Sequence, residues 1–322
     1  METGFSRIKQ LVADHPDRKL QTLMHLVNKE TLKEAHEKQE AGKASGVDEM
    51  TKQEYGKNLD RNLDDLLRRM KSFSYRPQPA KRVYIEKDGK NGLRPLGIPA
   101  YEDKLVQTVI AEILEIIYEP KFLNCSYGFR QGLNGHDAIK HLNKTLMGYT
   151  NWVVDVDIKA FFDNVDHEWM MKFLESEIED KNLLRYIKRF LKSGIMEDGE
   201  YMDTDSGVPQ GGCCSPIMAN VYLHYVIDLW FEKRIKKSCR GFADMVRYAD
   251  DIVFCFQHEK DAKAFYEALK ERLNKFGLEI SEEKSKIIKF GRFAGKEAGK
   301  FDFLGFTAIS GKTRNGKYTP KF

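Results

Sequence analysis

The stretch "VRYADDIVFCF", residues 246–256, sets two adjacent aspartates, Asp250 and Asp251, in the middle of an apolar, strand-like run. Their like charges repel, and burying either is costly without positive charge beside it. The two apolar arms read as a hairpin whose turn falls near Ala249–Asp251. The same dipeptide recurs as Asp64–Asp65 in "RNLDDLLRRM". There Arg61, Arg68 and Arg69 lie at helical spacing, and a solvated helix face explains the pair. Asp250–Asp251 has no such neighbours.

Upstream, "WVVDVDIKAFF" (152–162) alternates, so that Val154, Val156 and Ile158 share one face while Asp155 and Asp157 share the other. If this strand pairs with the hairpin, Asp157 approaches Asp250 and Asp251. Three aspartates without a nearby His or Cys make a hard-oxygen site suited to Mg²⁺. Two such ions ~4 Å apart clamp the attacking and leaving oxygens of a phosphoryl transfer. The plainer alternative is that these acids cap turns or pair with Arg247.

Around this centre the chain reads as helix over its first fifty residues, with Leu20, Leu23, Met24 and Val27 on one buried face. A second helix carries Tyr55, Leu59, Leu63 and Leu66, and "SYRPQPA" stops it, since proline cannot continue a helix. "KRVYIEKDGKNGLRPLGIP" reads as two strands around a glycine-rich turn. After the 152–158 strand come a helix capped by Asp166 and, beyond "SGVPQGGCC", a helix with Ser215 at N-cap and Pro216 at N1. A helix over "EKDAKAFYEALKERLNKFG" and strands in "KIIKF" and "FDFLGF" follow the hairpin. This order fits an α+β fold whose sheet is a ferredoxin-like split βαβ, antiparallel with helices on one face and one loop-plus-helix insertion.

Composition bounds the function classes. Hydrophobic content of 41% with 32% charged residues describes a globular chain. No apolar run approaches the ~20 residues that span a bilayer. The N-terminus lacks a signal-peptide core, so no membrane partner and a cytoplasmic location are expected. Five cysteines form no C-x-x-C or zinc-like spacing, which points to reduced thiols. Net charge is only +4, but cations cluster with aromatics and prolines in 68–87 and again in 284–296. Such stripes hold a phosphate backbone, although a solvated surface explains any single run as well.

The ordered series "RPLGIP" (94–99), "CSYGFRQGLNGHDAI" (125–139), "DIKAFFD" (157–163), "SGVPQGGCCSP" (206–216) and "YADD" (248–251) resembles reverse transcriptases, in particular the group II intron maturases. "SGVDEMT" (45–51) is similar to the family's N-terminal block, and "GLEISEEKSKI" with "FDFLGF" to its closing palm blocks. The resemblance implies right-hand polymerase architecture. Residues 1–50 would be an N-terminal helical extension of the fingers, 51–150 the fingers and 151–322 the palm. The thumb and maturase region would be absent, with either an excised fragment or a naturally short relative fitting. It also implies RNA-directed DNA polymerase activity, with intron RNA as template, a DNA or RNA primer, deoxynucleoside triphosphates and binding to intron RNA that assists splicing and mobility.

Site roles follow from the same resemblance. Asp157, Asp250 and Asp251, with the Ile158 carbonyl, would ligate two Mg²⁺ ions, for which Mn²⁺ could substitute. Phe162 would sit under the sugar and exclude a 2′-hydroxyl. Gln210 and Ala249 would face the incoming nucleotide, and Lys87 and Arg94 would fold over its triphosphate. Arg130 is a further template or nucleotide candidate. Lys284 is the candidate proton donor, though Lys286 stands nearby. A retron-like relative, an RNA-dependent RNA polymerase and an RNA-binding splicing cofactor with an idle polymerase are the rival readings. Phe162 and Ala249 speak against the second, and the complete aspartate set against idleness. A tail of "TAISGKTRNGKYTPKF" is expected to be extended or frayed, with a homodimer formed through the surface a thumb would cover.

Overall fold

The computed structural model describes residues 4–86 and 92–322. It divides into two compact units, Met1–Lys121 with Phe162–Val221, and Phe122–Phe161 with Tyr222–Phe322.

The first unit is built round the helix Tyr101–Tyr118. Its Leu105, Val106, Val109, Ile110, Ile113, Leu114 and Ile117 are all buried, so apolar residues occupy nearly every side of it. The helices Gly4–Asp14 and Lys29–Lys38 pack against it. A four-stranded sheet runs in the order Leu93–Ile98, Ala80–Glu86, Ile195–Glu197, Glu200–Met202. The expected hairpin over 81–98 is present, antiparallel, with Arg82 opposite Gly97 and Ile85 opposite Arg94.

The expectation of continuous helix through the first fifty residues fails between 15 and 28 and again after Lys38. Leu20, Leu23 and Val27 are buried as read, but Leu20 forms a parallel bridge with Ile178. The N–H groups of Leu23 and Met24 donate to Asp180 Oδ2 at 2.6 and 2.8 Å. Asp180 also caps the helix Lys181–Leu191, accepting from Asn182 and Leu183 N–H. A distant carboxylate thus satisfies backbone donors that a helix would have satisfied internally. Ser215 is also spent differently: its hydroxyl donates to Pro209 O at 2.6 Å instead of capping the helix Ser215–Leu223. The Asp166 cap is as expected, accepting from Trp169 N–H at 2.8 Å.

The second unit holds a four-stranded sheet in the order Ala243–Tyr248, Asp251–Phe256, Trp152–Asp157, Lys286–Lys289, every pair antiparallel. In chain order this is 2-3-1-4, the split βαβ arrangement. One face carries Val154, Val156, Ile252, Phe254 and Phe256, and Phe254 and Phe256 pack on Phe265 of the helix Glu259–Lys275. The other face was expected to be bare of helices. It is apolar too, at Val153, Val246, Val253 and Cys255, and these bury against Ala138, Leu142 and Leu146 of the helix Gly135–Met147. The tail is extended but not frayed. Lys300–Phe303, Phe306–Lys312 and Tyr318–Lys321 form a three-stranded antiparallel sheet, because Phe301, Phe303 and Ala308 belong to that same core.

Asp180→Ala is expected to destabilise the protein by about 2–3 kcal/mol at neutral pH, since it removes a cap and orphans buried donors. Burial opposes ionisation of Asp180, but its four backbone donors outweigh burial and hold the carboxyl below its ordinary range. Its stabilisation is therefore complete above that range and is lost as pH falls through the folded value. Urea melts of both proteins from pH 7 downwards should show the gap closing in acid.

Candidate active site

The register that builds the second sheet also assembles the carboxylates. Asp157 stands directly opposite Asp251, and Asp155 opposite Val253, so Asp155, Asp157 and Asp251 share one face. Asp250 lies in the two-residue turn between Tyr248 and Asp251. Burial first, and then the charges of Asp155, Asp250 and Asp157, push Asp251 up to about 7, although Leu304 N–H at 3.4 Å pulls the other way. Burial likewise pushes Asp155 up to about 6 against the opposing Lys286.

Arg247, the residue offered as a simple partner for these acids, is committed to the other face of the sheet. Alternation sends its side chain to the face opposite Tyr248 and Asp251. There it is fully buried and forms a two-pronged pair with Asp228, Nε to Oδ1 at 2.8 Å and Nη2 to Oδ2 at 2.7 Å. Its remaining prong, Nη1, donates to Ala249 O at 3.1 Å, the carbonyl of the turn itself. Asp228 ends the π-helical turn His224–Asp228, a helix form that recurs at functional sites.

Ala249 is buried with φ +54, and Gly128 lies against it. A Cβ at Gly128 would stand 2.3 Å from Ala249 N, so only glycine permits this approach. Tyr127 N–H donates to Arg247 O and Arg247 N–H to Cys125 O, stitching the 125–128 segment along the hairpin. The "YGF" block and the "YADD" turn are thus one assembly.

On the other side of Asp157, a turn over 281–285 closes in. Asp157 N–H donates to Ser285 Oγ at 3.1 Å, and Asp157 O accepts from Ser281 N–H at 2.8 Å. Lys284 Nζ reaches Asp157 Oδ2 at 3.2 Å, while Lys286 faces Asp155. Geometry therefore separates the two lysines that sequence left together. Ile158 bridges Ile280, with Lys159 N–H and Asp157 O carrying the ladder bonds, so the Ile158 carbonyl stands outside that ladder. Arg130 donates to Leu123 O and Ser126 O and lies over the Phe122 ring at 5.4 Å.

The remaining candidates lie in the first unit. Phe161 is buried, whereas Phe162 is half-buried and lines a pocket of about 260 Å³ together with Gln210, Gly97, Gly207 and Arg82. Val208 N–H donates to Phe162 O at 2.7 Å, and Gly97 N–H to Gln210 O at 2.6 Å, so the "GVPQG" loop is tied to both the Phe162 turn and the 93–98 strand. Gly207 has φ +92, and a Cβ there would meet Asp163 O at 2.9 Å. Arg94 is exposed on the hairpin face opposite Arg82, three positions of register away. Arg82 is the cation at this pocket that sequence reading passed over. Lys87 lies outside the described residues.

Among the described residues no group of three or more His, Cys, Asp or Glu is already spaced around one metal position. Mg²⁺ does not require such a cage, since it keeps waters and is held by one or two carboxylates plus substrate phosphates. Asp251, raised in proton affinity first by burial and then by neighbouring carboxylates, and Asp157 opposite it make a carboxylate donor set that fits a divalent cation.

The comparisons agree with this geometry. Residues 85–308 match the family model for reverse transcriptase (RNA-dependent DNA polymerase). The chain belongs to the reverse transcriptase family. It is 34% identical to the group II intron-encoded protein LtrA of Lactococcus lactis subsp. cremoris over 73% of its own length and 41% of that protein. It is 32% identical to protein YkfC of Escherichia coli K12, over 95% of this chain and 87% of that one. The chain thus spans about two fifths of the Lactococcus relative. A solved telomerase structure from Candida albicans shares the fold, with a TM-score of 0.58 at 12% identity over 76% of this chain and 46% of that one. Reverse transcriptases generally use divalent metal ions. Among the described residues no helix is long and apolar enough to cross a membrane.

Asp228→Ala is expected to cost about 3–5 kcal/mol, because it strands a buried guanidinium. The double change Asp228→Leu with Arg247→Met should recover most of that loss, since the second substitution removes the stranded charge. Urea denaturation of the two variants against the parent chain measures both effects.

Proposed function

We propose that this chain is the fingers-and-palm part of a group II intron-type reverse transcriptase, a cytoplasmic RNA-directed DNA polymerase that also binds intron RNA. The observation that carries the reading is the cross-strand pairing of Asp157 with Asp251, with Asp250 in the adjoining turn, on a split βαβ sheet. The reaction joins a primer 3′-hydroxyl to the α-phosphate of a deoxynucleoside triphosphate opposite an RNA template, releasing pyrophosphate. Phosphoryl transfer of this kind asks the protein mainly to position groups and stabilise charge.

Each residue's part follows from where it stands. Asp157, Asp250 and Asp251, with the Ile158 carbonyl, would hold two Mg²⁺ ions. Bound there, the metal supplies Lewis acidity to the attacking and leaving oxygens. Arg247 and Asp228 fix the Ala249 turn and so the direction of the Asp250 carboxylate. Lys284, beside Asp157, is the cation available to give a proton to the departing pyrophosphate. Phe162, exposed to its pocket while Phe161 is buried, excludes the 2′-hydroxyl, and Gln210 borders the same pocket. Arg82, at the same pocket, offers a guanidinium group for the triphosphate, whereas Arg94 stands on the other face of the hairpin. The similarity to an intron-encoded protein supports the intron RNA as the cognate template.

Asp250→Asn should reduce primer extension to background while leaving the melting temperature and RNA affinity close to those of the parent chain. Near-parental extension would remove the metal assignment. Phe162→Ala should raise ribonucleotide incorporation relative to deoxynucleotide, read as the ratio of kcat/KM values in separate extension reactions. An unchanged ratio in an active variant would return Phe162 to a packing role.

A further inference from the structure

The first unit carries a second concave feature that shares no residue with the Phe162–Gln210 pocket. It is an open groove of about 700 Å³ whose lining holds five cations, Arg76, Arg185, Lys188, Arg189 and Lys192, and no carboxylate. Among the described residues none of the five meets a carboxylate within ion-pair distance. Four of the five are exposed. Arg185, Lys188 and Lys192 continue a stripe begun by Lys181 on one face of the helix Lys181–Leu191, at steps of four, three and four residues, and the stripe is about 16 Å long.

The groove is built, not incidental. Arg189 donates to Tyr75 O at 2.8 Å and Phe73 O at 3.1 Å, lashing the 73–75 segment to the cationic helix. Buried Asp103 accepts from Gln78 N–H at 2.8 Å and from the Tyr75 hydroxyl, fixing the wall that carries Pro77 and Pro79. Arg185 lies over the Phe73 ring at 4.2 Å. Tyr201, about half exposed, rests against Gly194, where a Cβ would stand 2.4 Å from its ring. Cations are therefore held close to one another at a repulsive cost, beside the half-exposed ring of Tyr201, whose hydroxyl donates to Asp203 at 2.8 Å.

We propose that this groove binds a single-stranded RNA segment, phosphates along the Arg185–Lys188–Lys192 stripe and a base on the Tyr201 ring. A cationic groove with ring platforms is the arrangement that holds single strands without reading sequence. A duplex would present phosphates but no open base face, and an acidic peptide would use the cations but not the ring. The inference rests on the reading that RNA is the chain's partner, but not on the carboxylate chemistry.

The test uses the full 322-residue chain with a short unstructured oligouridine as probe. Arg185→Gln/Lys188→Gln/Lys192→Gln should weaken binding roughly tenfold or more, the scale of lost hydrogen bonds to charged groups. It should also flatten the plot of log affinity against log salt by about 2 units, from three single-strand phosphate contacts. Tyr201→Ala should weaken binding about fivefold or more through lost stacking, and the melting temperature of both variants should stay near the parent's. Extension of a saturating pre-annealed primer–template should keep its kcat. Unchanged affinity and salt slope in the triple variant overturns the groove. Equal losses on duplex RNA with no effect of Tyr201→Ala overturns the single-strand assignment, and oligoglutamate displacing the probe at equal concentration overturns the nucleic-acid one. Asp250→Asn separates the two readings: if it abolishes extension while the triple variant binds normally, only the groove falls.

Discussion

Arg247 has no route to water, and its guanidinium bonds to both carboxylate oxygens of Asp228 and, as a third bond, to the carbonyl of Ala249. A buried ion pair is poor evidence for stability, because an apolar pair of similar volume is often as good. What an apolar pair could not supply is the third bond. It reaches the one residue of the hairpin turn that is held at positive φ, and so it fixes how the chain leaves Tyr248 and enters Asp250. The clamp acts on backbone from the face opposite the carboxylates. It therefore bears on how the backbone carries Asp250 and Asp251 toward the face that Asp157 shares.

Two further contacts depend on that turn being where the clamp puts it. Gly128 can approach the Ala249 backbone only because it carries no side chain, and the 125–128 segment is hydrogen-bonded along the hairpin. Asp157, on the neighbouring strand, meets Asp251 only in the register the sheet adopts. A slip of one residue would turn Asp157 and Asp155 to the Phe265 side and Val154 and Val156 to the carboxylate side. The apolar pattern forbids this, since both faces of the strand are committed to separate cores. Packing of Val154 against the Phe254 face is thus part of how the acids come together.

The legible parts of this structure are those where local pattern and tertiary environment agree. Alternation in 152–158, the apolar arms of 245–256 and the Asp166 cap are local signals, and each appears as read. The segment around Leu20–Val27 mimics a helix because its apolar spacing is helical, while the acceptor for its N–H groups, Asp180, lies more than 150 positions away. Ser215 looked like a cap until Pro209 O, brought near by the glycine loop, took its hydroxyl. The Arg247–Asp228 clamp left a trace that could have been followed. Each is a lone charge inside an apolar run, "MVRYA" and "YVIDLW", and two such charges of opposite sign invite pairing. Arg82 was obscured by its neighbours in a cationic stretch, where only register tells which side chains share a face.

A net charge of +4 describes neither unit well. In one, carboxylates crowd until burial and mutual repulsion raise Asp251 to about 7. In the other, five cations line a groove with no carboxylate among them. Each arrangement is unfavourable alone and would relax if a single opposite side chain were substituted nearby. Folding stability cannot be the reason for either, since both subtract from it. Divalent cations would relieve the first, and the phosphates of the proposed RNA segment would relieve the second. Templated nucleotide transfer, the activity proposed for this chain, would bring both kinds of counter-charge to one protein, and that requirement would tie the carboxylates and the cationic groove to a common chemistry.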